Sequence, residues 1–411
     1  MTVTLFKNAA IVDGTADRPL DPVDVLVADG LIQSVGTNVK TPSDARVIDV
    51  SGKTLMPGLI DAHVHVVAVE ADLKLNARLP DAVVIVRSIN LMNEMLLRGF
   101  TTVRDLGGAT GVVREAVRYS PIPVPRLNLP GNAISQSGGH TDQRGPFDVT
   151  PMPSTYIPLG SLGRVVDGVA DVRRACREEI KGGADFIKIM ANGGVSSPTD
   201  PIHFLGFARE EILAAVEEAD NAGTYVAAHL YTDKGIRRAV ELGVHSLEHC
   251  NLIEAETARF AAERGCIAVP TLITYDKLSS EGASVGLPPA SVAKVDDVRL
   301  KGLESLRIMY EAGLPMAYGS DLLGAMHRHQ SGEFALRGSV LPAQAVIDST
   351  TRIAARLLRM EGKIGCVQPG AFGDLIVVHG NPLADLSLLA GQGEHIPIIM
   401  KGGAVIKGQR A

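Results

Sequence analysis

Tryptophan is absent from this 411-residue chain, and all aromatic residues together make up 4% of it. That leaves little material for a platform on which bases or sugars could stack. Cysteine is scarce as well. The four present (Cys176, Cys250, Cys266, Cys366) are scattered and form no CxxC pair, which suits a reducing compartment better than a disulfide scaffold. No apolar run approaches the roughly 20 residues that span a bilayer. The first residues lack the cationic start and apolar core of a signal peptide, so a cytoplasmic protein is expected. The net charge of −6 comes from interspersed acids and bases. Without a basic stripe or a polybasic run, neither nucleic acid nor an anionic membrane is expected as a partner. No GxGxxG follows the first strands, which weakens a doubly wound dinucleotide fold.

What is present is ordinary globular material, 45% hydrophobic and 21% charged. A chain this long buries most of the surface that its unfolded form exposes. Residues 1–58 read as short strands, with Asp29 and Gly30 as a hairpin turn before residues 31–35. Residues 365–411 have the same character. One small β-sandwich domain built from both chain ends is therefore expected.

Between them, residues 59–364 alternate apolar runs with helix patterns. The runs cover 58–63, 101–105, 126–130, 184–190, 224–229, 245–249, 266–270 and 316–321, and the clearest helices 81–98, 209–222 and 254–264. Gly99, Gly182, Gly223 and Gly265 follow helix ends, a C-cap signal. Strand–helix alternation implies an α/β fold with a parallel sheet. The length fits a (β/α)8 TIM barrel better than an open sheet.

Catalytic groups in such a barrel sit at the C-terminal ends of strands. The polar residues that close the apolar runs are His63, His65, Lys188, His229, His249 and Asp321. His63 and His65 project from one side of their strand, because strand side chains have period two. Asp61, just before them, is placed to orient the imidazoles from behind.

Lys188 lies in an otherwise buried run, where an ammonium is costly unless paired or chemically altered. Either Asp185 pairs with it, or carbon dioxide converts it to a carbamate, an anion whose two oxygens can bridge two cations. The other polar residues at the strand ends favour the carbamate. His229 and His249 close successive strands; each reads as a buried, hydrogen-bonded histidine or as a metal ligand. Asp321 either caps the next helix or binds metal and moves a proton, and the four histidines favour the second. His245 reads as structural; His327 and His329, in a loop after Asp321, either support the site from behind or lie at the surface, and the surface reading is favoured. Cys250 has no neighbouring base to make it a nucleophile.

One zinc takes about four ligands, so this larger set implies two divalent ions, about 3.5–4 Å apart. Imidazole and carboxylate oxygen suit zinc; manganese, cobalt or iron fit the same donors.

The set resembles the binuclear branch of the amidohydrolase superfamily, with further similar segments at 11–14, 57–63 and 370–377. Within it, Ser137-Gly138-Gly139-His140, residues 188–195 and His229-Leu230-Tyr231 are similar to prolidase-like Xaa-Pro dipeptidases and Xaa-Arg or Xaa-Lys carboxypeptidases. The resemblance implies that His63 and His65 hold one metal and His229 and His249 the other. N6-carboxylated Lys188 would bridge them, and Asp321 would ligate the first. It implies hydrolysis of the amide in a dipeptide or N-acyl amino acid, with proline as the C-terminal residue. Asp321 would carry a proton from the attacking water to the leaving amine, and His140 would donate to the oxyanion. His140, Tyr231 and Arg144 would contact substrate, Arg144 by bidentate pairing with a carboxylate. Tyr231 has a plainer reading as barrel-mouth packing. Two other readings stand beside this one. The substrate is a cyclic amide, imidazolone or carbamate-like compound, or the protein is a non-catalytic scaffold, which should lack some of these ligands. Relatives form large homo-oligomers, so one is expected by analogy.

Overall fold

The computed structural model describes residues 3–152, 156–195, 197, 199–286 and 289–408. The two chain ends meet in a single eight-stranded sheet. Strand Leu375–His379 lies antiparallel against Lys53–Pro57, which itself runs parallel to Thr4–Ile11. The expected Asp29-Gly30 turn joins Leu20–Ala28 to Leu31–Gly36, with both turn residues at positive φ (53° and 78°), as a type I′ hairpin requires. Two sheets in a sandwich were expected; the strands are instead hydrogen-bonded into one. That sheet returns on itself through Ile32 N, which donates to Ala371 O at 2.8 Å. Phe6, Val25, Leu55, Leu375 and Met400 fill its own core.

The middle of the chain carries two parallel sheets. One has three strands, Leu59–Val64, Phe100–Asp105 and Arg126–Asn128. The other has six, among them Ala133–Ser135, Ile187–Met190, Val226–Thr232, Ser246–Leu252 and Ile267–Val269. Hydrogen bonds link the two sheets at both ends. Asp185 N donates to Leu129 O at 2.7 Å, and residues 316–321 span the other gap. There Ala317 N donates to Ala268 O at 2.8 Å and Ala62 N to Tyr318 O at 2.7 Å. The strand expected at 316–321 is thus a bridging segment with one isolated parallel bridge, Ala268 to Met316.

The strands are buried along their length, as in a sheet covered on both faces. Helices lie between them, and those at Asp81–Leu97, Arg209–Asn221 and Ala255–Glu263 match the periodicity to within a residue at each end. One cap differs from expectation. The helix Val169–Lys181 is closed by Gly183 in the left-handed region (φ +92°), one residue beyond Gly182. Among the described residues, no helix is long and apolar enough to cross a membrane.

Candidate metal centre

The polar residues that close the apolar runs converge. His63, His65, Lys188, His229, His249 and Asp321 all line one cavity, with His140 and Tyr231. They arrive there by strand register. His229 faces Glu248 across one parallel pair, and Leu230 faces His249, so neighbouring strands end at the same level. Two of the six sit on strained backbone: His249 has φ +70° and Asp321 φ +53°. Such conformations cost about 1–3 kcal/mol each in a non-glycine residue and persist where the surroundings enforce them. At Asp321 the backbone amide donates to His63 O at 2.8 Å. Close approach is possible because residue 319 is glycine; a Cβ there would lie 2.8 Å from the Cβ of His63.

The charge beneath the cavity was not expected. Arg104 and Glu248, both fully buried, form an ion pair at 3.2 Å. Arg104 also donates to Ala62 O and Ser246 Oγ, each at 3.0 Å. Glu248 uses its other oxygen to hold His63 Nδ1 at 2.8 Å. Burial alone would raise the Glu248 carboxyl, but Arg104 and His63 outweigh it and hold the group well below the usual range. Glu248 is therefore the carboxylate that orients His63, a role expected of Asp61. Asp61 instead pins the backbone, accepting from His63 N at 3.1 Å and from Ser320 N at 3.2 Å. Burial pushes the Asp61 carboxyl up to about 6.

Glu248→Gln should break both links and leave Arg104 as an uncompensated buried charge. Breaking a buried pair typically costs about 3–5 kcal/mol, and loss of a group that orients a metal-bound histidine typically costs about 10–100-fold in metal affinity. Thermal melting and metal titration of this variant check both effects. A melting point and affinity equal to the parent's would refute the role.

Lys188 is 1% exposed. Asp185 is not its partner, because that carboxylate pairs with Arg114 and accepts from Leu129 N at 2.8 Å. Among the described residues, no carboxylate forms an ion pair with Lys188. Burial pushes its ammonium down to about 8, against the pull of Glu248 and Asp321. A lysine so placed presents an appreciable fraction of free, nucleophilic amine near neutral pH, the form that carbon dioxide captures.

The remaining contacts test whether the site suits a divalent cation. His229 Nδ1 and His249 Nε2 face each other at 2.9 Å. Asp321 Oδ1 lies 3.3 Å from His63 Nε2 and 3.2 Å from His65 Nε2. Ligand atoms of His63, His249 and Asp321 all fall within 4.8 Å of one another. Behind them, the far nitrogens of His63 and His249 are held by Glu248 and, at 2.8 Å, by Thr271 Oγ1. Such outer bonds are the usual support of metal-ligating histidines. Burial keeps His229 and His249 well below their ordinary pKa and so neutral, the ligand form. Burial would raise Asp321, but His63 and His65 override it and keep an anion. The donor set fits a divalent metal.

Of the residues expected at the substrate, His140 stacks on His229, with ring centroids 4.4 Å apart. It arrives on the 136–162 connection between the short strands Ala133–Ser135 and Gly163–Val165. Tyr231 OH bonds Tyr275 OH at 2.9 Å, and Tyr275 in turn reaches His249 Nδ1 at 3.1 Å. Arg144 does not line this cavity. Asp142 holds its Nε at 2.9 Å and a second guanidinium nitrogen at 2.7 Å, and Thr150 O takes a third at 2.8 Å. His327, expected at the surface, is buried and bonded to Ala68 O at 3.3 Å. His329 is partly buried beside Glu281. His245 lies edge-on to Tyr225. Cys250 is fully buried, and burial raises its thiol well above the ordinary range, so it is inert.

A family model described as the amidohydrolase family matches residues 54–405. An ochratoxinase of Aspergillus niger is 30% identical over 427 aligned positions, covering 99% of this chain and 87% of that relative. Among solved structures, an amidohydrolase superposes with a TM-score of 0.97 at 50% identity, covering 100% of both chains. A prolidase complexed with N-methylphosphonate-L-proline superposes with a TM-score of 0.97 at 44% identity, covering 99% of this chain and 100% of that one. The chain belongs to the amidohydrolase family. It is a hydrolytic enzyme that acts on amide bonds, and its family generally employs a divalent metal.

Proposed function

We propose that this enzyme hydrolyses the amide bond of a dipeptide or N-acyl amino acid that carries proline at its C-terminal end. The observation that carries the reading is the convergence of five potential ligands on one cavity around a buried lysine that, among the described residues, forms no ion pair. His63, His65 and Asp321 would hold one divalent ion and His229 and His249 a second, with N6-carboxylated Lys188 between them. Imidazole and carboxylate oxygens suit zinc. The links between the two parallel sheets support reading them as one (β/α)8 barrel, with these residues at its mouth. Likeness to a prolidase bound to a proline phosphonate supports the choice of proline.

When bound, the metal pair makes a water acidic enough to ionise near neutral pH and polarises the substrate carbonyl. Asp321 is 17% exposed through its side chain and faces the cavity. It accepts the proton of the attacking water and returns it to the leaving nitrogen. A secondary amine such as proline departs only once protonated. His140 donates to the carbonyl oxygen as charge develops there, and Tyr231 contacts the substrate. Arg144, bound to Asp142, is left out of this scheme.

A second reading keeps the chemistry and changes the amide, as the ochratoxinase relative suggests. A scan of dipeptides varying only in the C-terminal residue, run beside non-peptide amides, separates the two. Xaa-Pro substrates are expected to give the highest kcat/KM. Preference for a non-peptide amide, with Xaa-Pro at background, would overturn the proline reading.

A further inference from the structure

We infer that Asp200 and Ser197 are positioning residues for His140, holding its ring through Nδ1 so that Nε2–H is the donor offered to the substrate carbonyl. The inference rests on the role of His140 proposed above.

Among the described residues, three form a hydrogen-bonded chain that ends on the His140 ring. Ser197 Oγ lies 2.9 Å from His140 Nδ1, and Asp200 Oδ1 is hydrogen-bonded to the same hydroxyl. Asp200 Oδ2 approaches the imidazole to 3.8 Å. Both Ser197 and Asp200 are buried, at 1% and 2% exposure. A hydroxyl has one proton to give, so the order of donation along the chain decides which imidazole nitrogen keeps its hydrogen. If the Asp200 carboxyl carries a proton, it donates to Ser197, Ser197 donates to Nδ1, and Nε2 keeps the hydrogen. Burial pushes the Asp200 carboxyl up to about 8, against the pull of Lys294, which favours this order.

The loop that carries the chain is built to hold it. Lys294, nearly a hundred positions away, donates to Gly194 O at 3.0 Å, Ser197 O at 2.8 Å and Asp200 O at 3.4 Å. Three carbonyls on one ammonium fix the loop at the level of the imidazole. From beneath, Asn192 donates to Ile202 O at 2.8 Å. Gly194 sets the fit, because a Cβ there would lie 1.7 Å from His140 Nδ1. The imidazole is thus confined between His229 on one face, at 4.4 Å, and Gly194 and Ser197. A ring gripped this way loses little freedom when it meets the developing oxyanion, and preorganised donors stabilise transition-state charge most.

A double-mutant cycle with an Xaa-Pro substrate tests the assignment. His140→Ala is expected to lower kcat by about 10²–10³-fold, as loss of an oxyanion donor does. Ser197→Ala should lower kcat by about tenfold or more with KM nearly unchanged, and should cost nothing further in the His140→Ala background, since coupled residues are not additive. Asp200→Asn keeps a donor toward Ser197 and should stay within a few-fold of the parent, whereas Asp200→Ala should fall with Ser197→Ala. Melting curves and metal content identify any variant that simply misfolds, and Ser197→Ala is the smallest change in the set. Fully additive Ser197 and His140 losses, an unimpaired Ser197→Ala, or an Asp200→Asn as poor as Asp200→Ala would each overturn the inference while leaving the hydrolase reading intact. An active His140→Ala would instead remove the premise and the inference with it. Absence of Xaa-Pro turnover in the parent would count against the proline reading alone, and the same cycle would then be run on the best amide from the scan.

Discussion

Replacing Lys188 by alanine is expected to lower turnover by about a thousandfold or more, since metal polarisation is worth several kcal/mol and each 1.4 or so is tenfold in rate. The effect follows from where the side chain sits. It is 1% exposed, lines the cavity beside the imidazoles of His229 and His249, and among the described residues forms no ion pair with a carboxylate. As an ammonium it would repel any cation held by those rings. As a carbamate it supplies a second anion beside Asp321, the one carboxylate that lines the cavity among the described residues. Alanine removes both forms and leaves a void of the right shape for a small carboxylate, so acetate or propionate added to the variant should restore part of the activity. Metal content should fall in the variant and recover with the added acid. Undiminished turnover in untreated Lys188→Ala would end the assignment of this lysine as a bridge.

Asp321→Asn should separate binding from proton transfer. The amide oxygen can still face His63 and His65, which Asp321 Oδ1 approaches to 3.3 and 3.2 Å, so metals should be retained at least in part. What asparagine lacks is a basic oxygen. Proton transfer by a placed carboxylate contributes about 10²–10⁴-fold, and kcat should fall by that order while KM changes little. The strained backbone at this position argues for the conservative replacement, because asparagine tolerates positive φ better than most residues. Steady-state kinetics paired with metal analysis decide the matter. A variant that keeps its metals and turns over within a few-fold of the parent would exclude the carboxylate from proton transfer.

The parts of the molecule legible in the sequence are those encoded locally. An apolar run ended by a polar residue is a short-range pattern, and the six residues that it marks line one cavity. Helix periodicity placed the ends of Asp81–Leu97 and Ala255–Glu263 to within a residue. Pairings across the fold were not legible. Glu248 stands beside His249 in the same run, yet its partners Arg104 and His63 are 144 and 185 positions away, and a single sequence carries no trace of them. Asp61 was favoured to orient His63 because it is near in the chain, but a residue two positions away on the strand bonds the backbone more readily than the ring. Arg144 is expected at the substrate, but it does not line the cavity, and a neighbour two residues off, Asp142, holds two of its guanidinium nitrogens. His327 was assigned to the surface because it lies in a polar loop pattern, and that loop folds under Ala68.

The joining of the two chain ends has a consequence for how the enzyme is made. Strand Lys53–Pro57 leads directly into the strand that carries His63, and its antiparallel partner is Leu375–His379. Thr54 Oγ1 closes that seam on Gly380 O across 326 positions of chain. Translation runs at about 5–20 residues per second, so the first histidines leave the ribosome roughly 15–65 s before the strand that clamps their support. The seam between the chain ends therefore closes only after residues 375–380 have been made, long after the strand that it supports.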